Sequence, residues 1–162
     1  MQCTIILQDT LQSSGYHQYE ISSFAKPNHE SRHNKKYWTQ QDYLGLGLGA
    51  SSNIGNRRFD NVQSFLTYFK MIDVGMPPVD KDTIQVLSQE EWEKEYIMLT
   101  MRLIEGLSIA EVNQRFGIYF LTKYEAAIQK NLNNGIVCLQ EGRLRFTRLG
   151  LDVGNQFYLD IL

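Results

Sequence analysis

His33-Asn34-Lys35-Lys36-Tyr37-Trp38 is the densest chemical segment of this chain, with an imidazole, an amide, a phenol and an indole in six residues. An imidazole nitrogen can ligate iron or zinc, and aromatic rings stack on planar ligands. By composition alone the same segment reads as a surface loop pinned by two aromatics. Residues 29–38 show no clean period, so a loop is expected there. A zinc site built on His29 and His33 needs two more ligands, and His17 is the only other histidine. Gly45-Leu46-Gly47-Leu48-Gly49 lacks the two residues that a dinucleotide fingerprint places between its second and third glycines. It reads instead as a strand over residues 43–50. Glycines on one side would leave a bare face for another backbone or a cofactor. Arg143, Arg145 and Arg148 could contact phosphates, or line a solvated hairpin face. The net charge of −2, with Glu125 beside Lys123 and Lys130, argues against strong duplex binding. Glu90-Glu91 fits a helix N-terminus, and no serine, histidine and aspartate grouping stands out as a triad.

These groups must be held by a chain of 162 residues, enough for one domain or slightly more. Its two cysteines, Cys3 and Cys138, exclude a disulfide-stapled mini-domain. They also exclude an iron–sulfur cluster or an all-cysteine zinc site supplied by this chain alone. No apolar run approaches the roughly 20 residues of a membrane helix, and no signal-peptide pattern opens the chain. A reducing, cytoplasmic setting is expected.

The N-terminal half is aromatic, glycine-rich and irregular. Residues 4–7 fit a short strand or a helix equally. Tyr19-Glu20-Ile21-Ser22-Ser23-Phe24 favours a strand, ended by Lys26-Pro27-Asn28. Phe65, Phe69 and Ile72 make a helical stripe, with Leu66 beside it. Gly75, Pro77 and Pro78 mark a linker. The second half is a series of capped helices. Ser88 and Glu91 have capping-box spacing ahead of Trp92, Tyr96, Leu99 and Leu103, with Gly106 as the stop. Ser108 and Glu111 repeat it before Val112, Phe116 and Gly117. Thr122 and Glu125 repeat it again before Ile128, Leu132 and Gly135. Residues 136–139 and 143–146 flank Glu141-Gly142 as a hairpin, and Thr147 starts a last helix through Val153 and Phe157. Helix, short helix, helix, hairpin is the order of a winged helix.

Three blocks in order carry a resemblance. They are Tyr19-Glu20-Ile21-Ser22-Ser23-Phe24-Ala25-Lys26-Pro27, Glu30-Ser31-Arg32-His33-Asn34-Lys35-Lys36-Tyr37-Trp38, and Asp42-Tyr43-Leu44-Gly45-Leu46-Gly47-Leu48-Gly49-Ala50-Ser51-Ser52. Together they resemble the C-terminal part of the oxygen-independent coproporphyrinogen III oxidase-like family, within the radical S-adenosylmethionine superfamily. The likeness continues through Leu87-Ser88, Met98-Leu99, Arg102-Leu103 and Phe116-Gly117. The pattern His-Asn-x-x-Tyr-Trp is similar to that of the haem-chaperone branch. It implies haem binding, with His33 as the iron ligand and Asn34, Tyr37 and Trp38 as supports. The resemblance likens the glycine segment to a late barrel strand near bound S-adenosylmethionine, which implies roles for Gly47, Gly49, Ala50 and Ile54.

The implied architecture is an α/β fragment. Residues 1–75 would hold the last strands of a partial barrel, 76–87 a linker, and 88–162 a mostly helical winged-helix-like domain. Two departures stand out. Ser51 occupies a position where the family commonly has histidine, and the family's Cys-x-x-x-Cys-x-x-Cys motif is absent. S-adenosylmethionine and a four-iron four-sulfur cluster would then belong to a full-length parent, with no catalytic residue here and no radical chemistry by this chain alone. Haem or a porphyrin, a haem-recipient protein, and a second copy joined through exposed barrel edges are the expected partners. A fragment of a true oxidase, which converts two propionates to vinyl groups, is the alternative. A winged-helix interaction module is the other.

Overall fold

The structure is a computed structural model and describes residues 2–162, with side chains from Ile6 onward. The Cys3 thiol therefore lies outside the described residues, and Cys138 is a free thiol. The chain groups into two compact units. One combines the N-terminal residues up to Thr39 with Glu93–Leu162, and the other is Gln40–Trp92.

The first unit begins with α1 (Gln2–Ser13), so residues 4–7 are helical. The strand expected over residues 19–24 is instead a hairpin, β1 (His17–Glu20) and β2 (Ser23–Ala25), paired antiparallel. The chain reverses at Ile21-Ser22 because the Glu20 carboxylate accepts the Ser22 N–H at 3.1 Å, a local bond that competes with extension. The loop expected around His33 is α2 (Arg32–Trp38). Ser31 caps it, its hydroxyl accepting the Asn34 N–H at 3.2 Å. Seven residues make about two turns, too few to show a period.

In the second unit, β3 (Ser51–Ile54), β4 (Arg57–Asp60) and β5 (Gln85–Val86) form an antiparallel sheet in that order. Residues 43–50 are not the expected strand. They make one bridge, Tyr43 to Asn53, and then turn through Gly47 at φ 104° and Gly49 at φ 63°. Every strand pair among the described residues is antiparallel, in sheets of two or three strands. The mixed α/β class is as expected, and no barrel forms among the described residues. Residues 76–87 are also tied down. Val62 donates to Pro78 O at 2.8 Å, Asp80 to Asp60 O at 2.8 Å, and β5 joins the sheet. Between β4 and β5 lies α3 (Phe65–Asp73), capped by Ser64, whose stripe of Phe65, Leu66, Phe69 and Ile72 is exposed.

α4 (Gln89–Thr100) opens with the capping box as expected. Glu91 Oε2 accepts the Ser88 N–H at 2.8 Å, and Ser88 Oγ accepts the Glu91 N–H at 3.2 Å. The Ser88 backbone bond holds the Glu91 carboxyl below its usual range. The helix ends at Thr100, well before Gly106. The remaining elements of the first unit are β6 (Leu107–Ser108), α5 (Ile109–Phe116), α6 (Phe120–Lys123), α7 (Glu125–Asn133), β7 (Val137–Gln140), β8 (Arg143–Phe146), α8 (Arg148–Val153) and α9 (Asn155–Ile161). Strand β6 adds to the β7–β8 hairpin in the order β6-β8-β7. The expected box at Thr122 and Glu125 does not form, because Thr122 lies inside α6. Asn113 Oδ1 instead accepts the Phe120 N–H at 2.8 Å. The last helix is divided at Gly154. Gly150 and Gly154 lie one turn apart, and a Cβ at either would meet the Phe146 ring. Ile97, Met101, Leu107, Val112, Phe120, Leu144 and Phe157 are fully buried and form the core of this unit. Among the described residues no helix is long and apolar enough to cross a membrane.

Candidate functional site

Helical spacing places His33 and Tyr37 on one stripe of α2, and Asn34 and Trp38 on the next. The His33 and Tyr37 rings meet edge to face, centroids 4.9 Å apart at 89°. His33 is exposed, while Asn34, Tyr37 and Trp38 are half-buried. The imidazole thus sits in the first turn, steered by a phenol but open to an incoming ligand.

The other end of α2 is fixed. The Arg102 guanidinium lies 4.3 Å from the Trp38 ring centroid. Thr100 Oγ1 donates to Trp38 O at 3.3 Å, and Arg115 Nη1 donates to Thr39 O at 3.4 Å. Arg102 Nη2 also donates to buried Glu20 at 3.4 Å. None of these partners is near α2 in sequence, and only the basic–aromatic character of Arg102 and Trp38 hinted at the stack.

Beside α2 lies a polar cavity of about 320 Å³, lined by His17, Tyr19, Glu30, Lys35 and Arg145 among others. His17 Nε2 and Glu30 Oε1 are 2.7 Å apart. The Glu30 backbone N–H, then His17 and the Lys35 charge, hold the Glu30 carboxyl below its usual range. Glu30 therefore pairs with His17, a contact between residues 13 apart that no local spacing signals. Among the described residues no group of three or more histidine, cysteine or acidic side chains could hold a metal ion, so a zinc site on His29 and His33 finds no support.

Gly47, Gly49, Ala50 and Ile54 belong to the other unit. Asn61, only 5% exposed, pins their turn by donating from Nδ2 to Gly47 O at 2.8 Å and Gly45 O at 3.2 Å. Its backbone N–H donates to Ala50 O at 3.0 Å. Sequence reading missed Asn61, because an amide next to an irregular segment carries no local signal. The glycines are not one bare face. Gly45 is where backbone approaches closely, since a Cβ there would meet Ser51 O. Gly47 has open space and Gly49 would make only an ordinary contact with the Gln63 side chain, so it is their positive φ that favours glycine. Ile54 ends β3 and is 43% exposed.

The arginine cluster is largely spent on structure. Arg143 donates to Gly106 O at 2.9 Å, and Arg145 pairs with Glu141 at 3.2 Å. Another buried charge went unnoticed in the sequence. Glu93 is 1% exposed and accepts both Lys123 Nζ, at 2.8 and 2.9 Å, and the Tyr124 hydroxyl, at 2.6 Å.

Residues 87–153 match the family model described as the HemN C-terminal domain. The heme chaperone HemW of Bacillus subtilis is 31% identical over 154 residues, covering 94% of this chain and 40% of that protein. Residues 87–153 thus match the HemN C-terminal domain, and the chain over nearly its whole length is similar to a HemW protein. HemW of Lactococcus lactis is 28% identical over 152 residues, covering 94% of this chain and 39% of that protein. The Synechocystis HemW is 33% identical over 108 residues. The structure of the radical SAM enzyme coproporphyrinogen III oxidase HemN from Escherichia coli superposes on 96% of this chain and 40% of that one. The TM-score is 0.65 at 18% identity, a likeness of fold alone. The chain thus spans about 40% of the length of these first two relatives, and the matched domain runs from just before α4 through α8.

Proposed function

We propose that this chain is the C-terminal part of a haem chaperone and that His33 ligates the haem iron. The observation that carries this reading is the exposed His33 ring, edge-on to Tyr37, on a helix anchored at its far end. The HemW relatives, named as heme chaperones, support the same branch. Haem iron offers an axial position that neutral imidazole fills. Tyr37 would set the ring plane, Trp38 would hold the helix, and Asn34, half-buried beside them, would face the haem edge.

Gly47, Gly49, Ala50 and Ile54 are proposed to serve S-adenosylmethionine in a full-length parent. The exposed backbone of Gly49 in a turn closed by Asn61 suits close approach of a ligand. A four-iron four-sulfur cluster in that parent needs three thiolates from outside this chain, which has two cysteines. By itself the chain is a binding module. A haem-recipient protein is its proposed partner, and the low cysteine content suits a cytoplasmic setting. The exposed α3 stripe, with Phe65 68% and Leu66 67% exposed, supports self-association. Sedimentation should show oligomers that Leu66→Glu/Phe69→Glu returns to monomers. A monomeric wild type would remove the oligomer proposal.

Haem titration followed by absorbance, on wild type and His33→Ala together, tests the main reading. Saturable binding with a Soret shift lost in the variant is expected. An identical spectrum in both would refute ligation by His33.

A further inference from the structure

We propose that Arg102 is the positioning residue for His33: held by buried Glu20, its guanidinium clamps the Trp38 end of α2 and thereby sets where the His33 end points. This rests on the haem reading of His33 and extends it to a residue that contacts no ligand.

α2 has seven residues and buries none of them. A helix that short does not hold itself together in water, so its place is dictated by what grips its ends. At the first turn Ser31 supplies a cap and Glu30 just before it is tied to His17, while the last turn is gripped by Arg102, Thr100 and Arg115 together. Arg102 is itself immobilised. Its carbonyl accepts the Ile21 N–H at 3.0 Å, and the next backbone link, Ile104 N–H to Tyr19 O, is 3.1 Å. Its Nη2 donates to Glu20, which is 2% exposed and also accepts the Ser22 N–H. A guanidinium fixed through backbone and side chain then lies over the Trp38 indole at 4.3 Å. Such a stack needs a planar cation, so lysine does not replace arginine in it.

The stack is kept although Arg102 Nε and Trp38 Nε1 are both buried without a hydrogen-bond partner among the described residues. The Tyr158 hydroxyl is a third such atom, and burial pushes that phenol up to about 12, opposed by the Arg102 charge. Orphaned buried donors are rare, and stability alone would favour replacing this pair with apolar side chains. Holding α2 gives the pair a role beyond stability. Five residues separate His33 from Trp38, about 7.5 Å along the axis, so a tilt of about 15° at the clamp moves His33 by about 2 Å. A displacement of that size disrupts a ligating geometry.

Two variants separate positioning from general stability. Arg102→Lys keeps a cation for Glu20 but removes the planar stack. Trp38→Leu removes the stack and leaves Arg102 with Glu20, so it decides the matter if the first variant fails to fold. In the haem-free chain, amide exchange over residues 32–38 should quicken about tenfold in both, while β7 and β8 keep their protection. Haem affinity should fall about tenfold with the Soret position at saturation unchanged, because His33 still ligates. Unchanged exchange over α2, or faster exchange with wild-type haem affinity, overturns the role of Arg102. A wild-type haem spectrum in His33→Ala overturns the ligand assignment as well, and it is read independently of the exchange data.

Discussion

Gly106→Ala is expected to cost this chain about 2–5 kcal/mol, read as a lower urea midpoint at unchanged slope. Two effects add. Gly106 has φ 72°, where an L side chain is strained. A Cβ there would also meet Leu144 O and the Arg145 side chain, on the strand that pairs with β6 through Leu107 and Leu144. Neither the backbone oxygen nor the paired strand can retreat without breaking the sheet. Arg143 Nη1, which donates to Gly106 O at 2.9 Å, would be displaced too. Gly117→Ala is the control. Its φ is 67° with no heavy atom near a built Cβ, so only the backbone strain of about 1–2 kcal/mol applies. Equal losses in the two variants would mean that β8 does not press on Gly106.

The second large effect concerns Glu93. Lys123→Met should destabilise by about 2–4 kcal/mol, because it leaves a carboxylate that is 1% exposed with the Tyr124 hydroxyl and no cation. The estimate sits below that for a fully buried pair because the Lys123 side chain is 39% exposed. Adding Glu93→Leu should recover most of the loss, since the pair is then replaced by apolar side chains. A double variant as unstable as the single one would show that Glu93 holds the helices through something other than its charge. Thermal melts of the single and the double variant against wild type decide this.

The C-terminal half was legible because its signals are local. Ser88 with Glu91, Ser108 with Glu111, Gly117, Gly135 and the Glu141-Gly142 turn each act within a few residues, and each does what its spacing implies. Thr122 failed for a tertiary reason: Asn113 supplies the cap for α6 from the preceding helix, which leaves Thr122 in its interior. The N-terminal part was harder to read. The hairpin at Ile21-Ser22 depends on a Glu20 side-chain bond, and α2 is too short for a period. The run of glycines at residues 45–49 suggested alternation, but the positive φ of Gly47 and Gly49 and the Asn61 amide produce a turn.

The candidate site was half legible. The residue types at His33, Asn34, Tyr37 and Trp38 named the chemistry, and the helix explains their spacing. What fixes that helix was hidden, because Thr100 and Arg102 reach it across the chain and Glu20 holds Arg102 from behind. The same holds for the His17–Glu30 pair beside it. Sequence patterns report contacts along an element, whereas these are contacts between elements.

Resonance Raman spectra of the ferrous haem complex test the central claim most directly. An iron–imidazole stretching band in wild type, absent from haem-loaded His33→Ala, is the predicted result. The same band in the variant, or no such band in the wild type, contradicts ligation by His33.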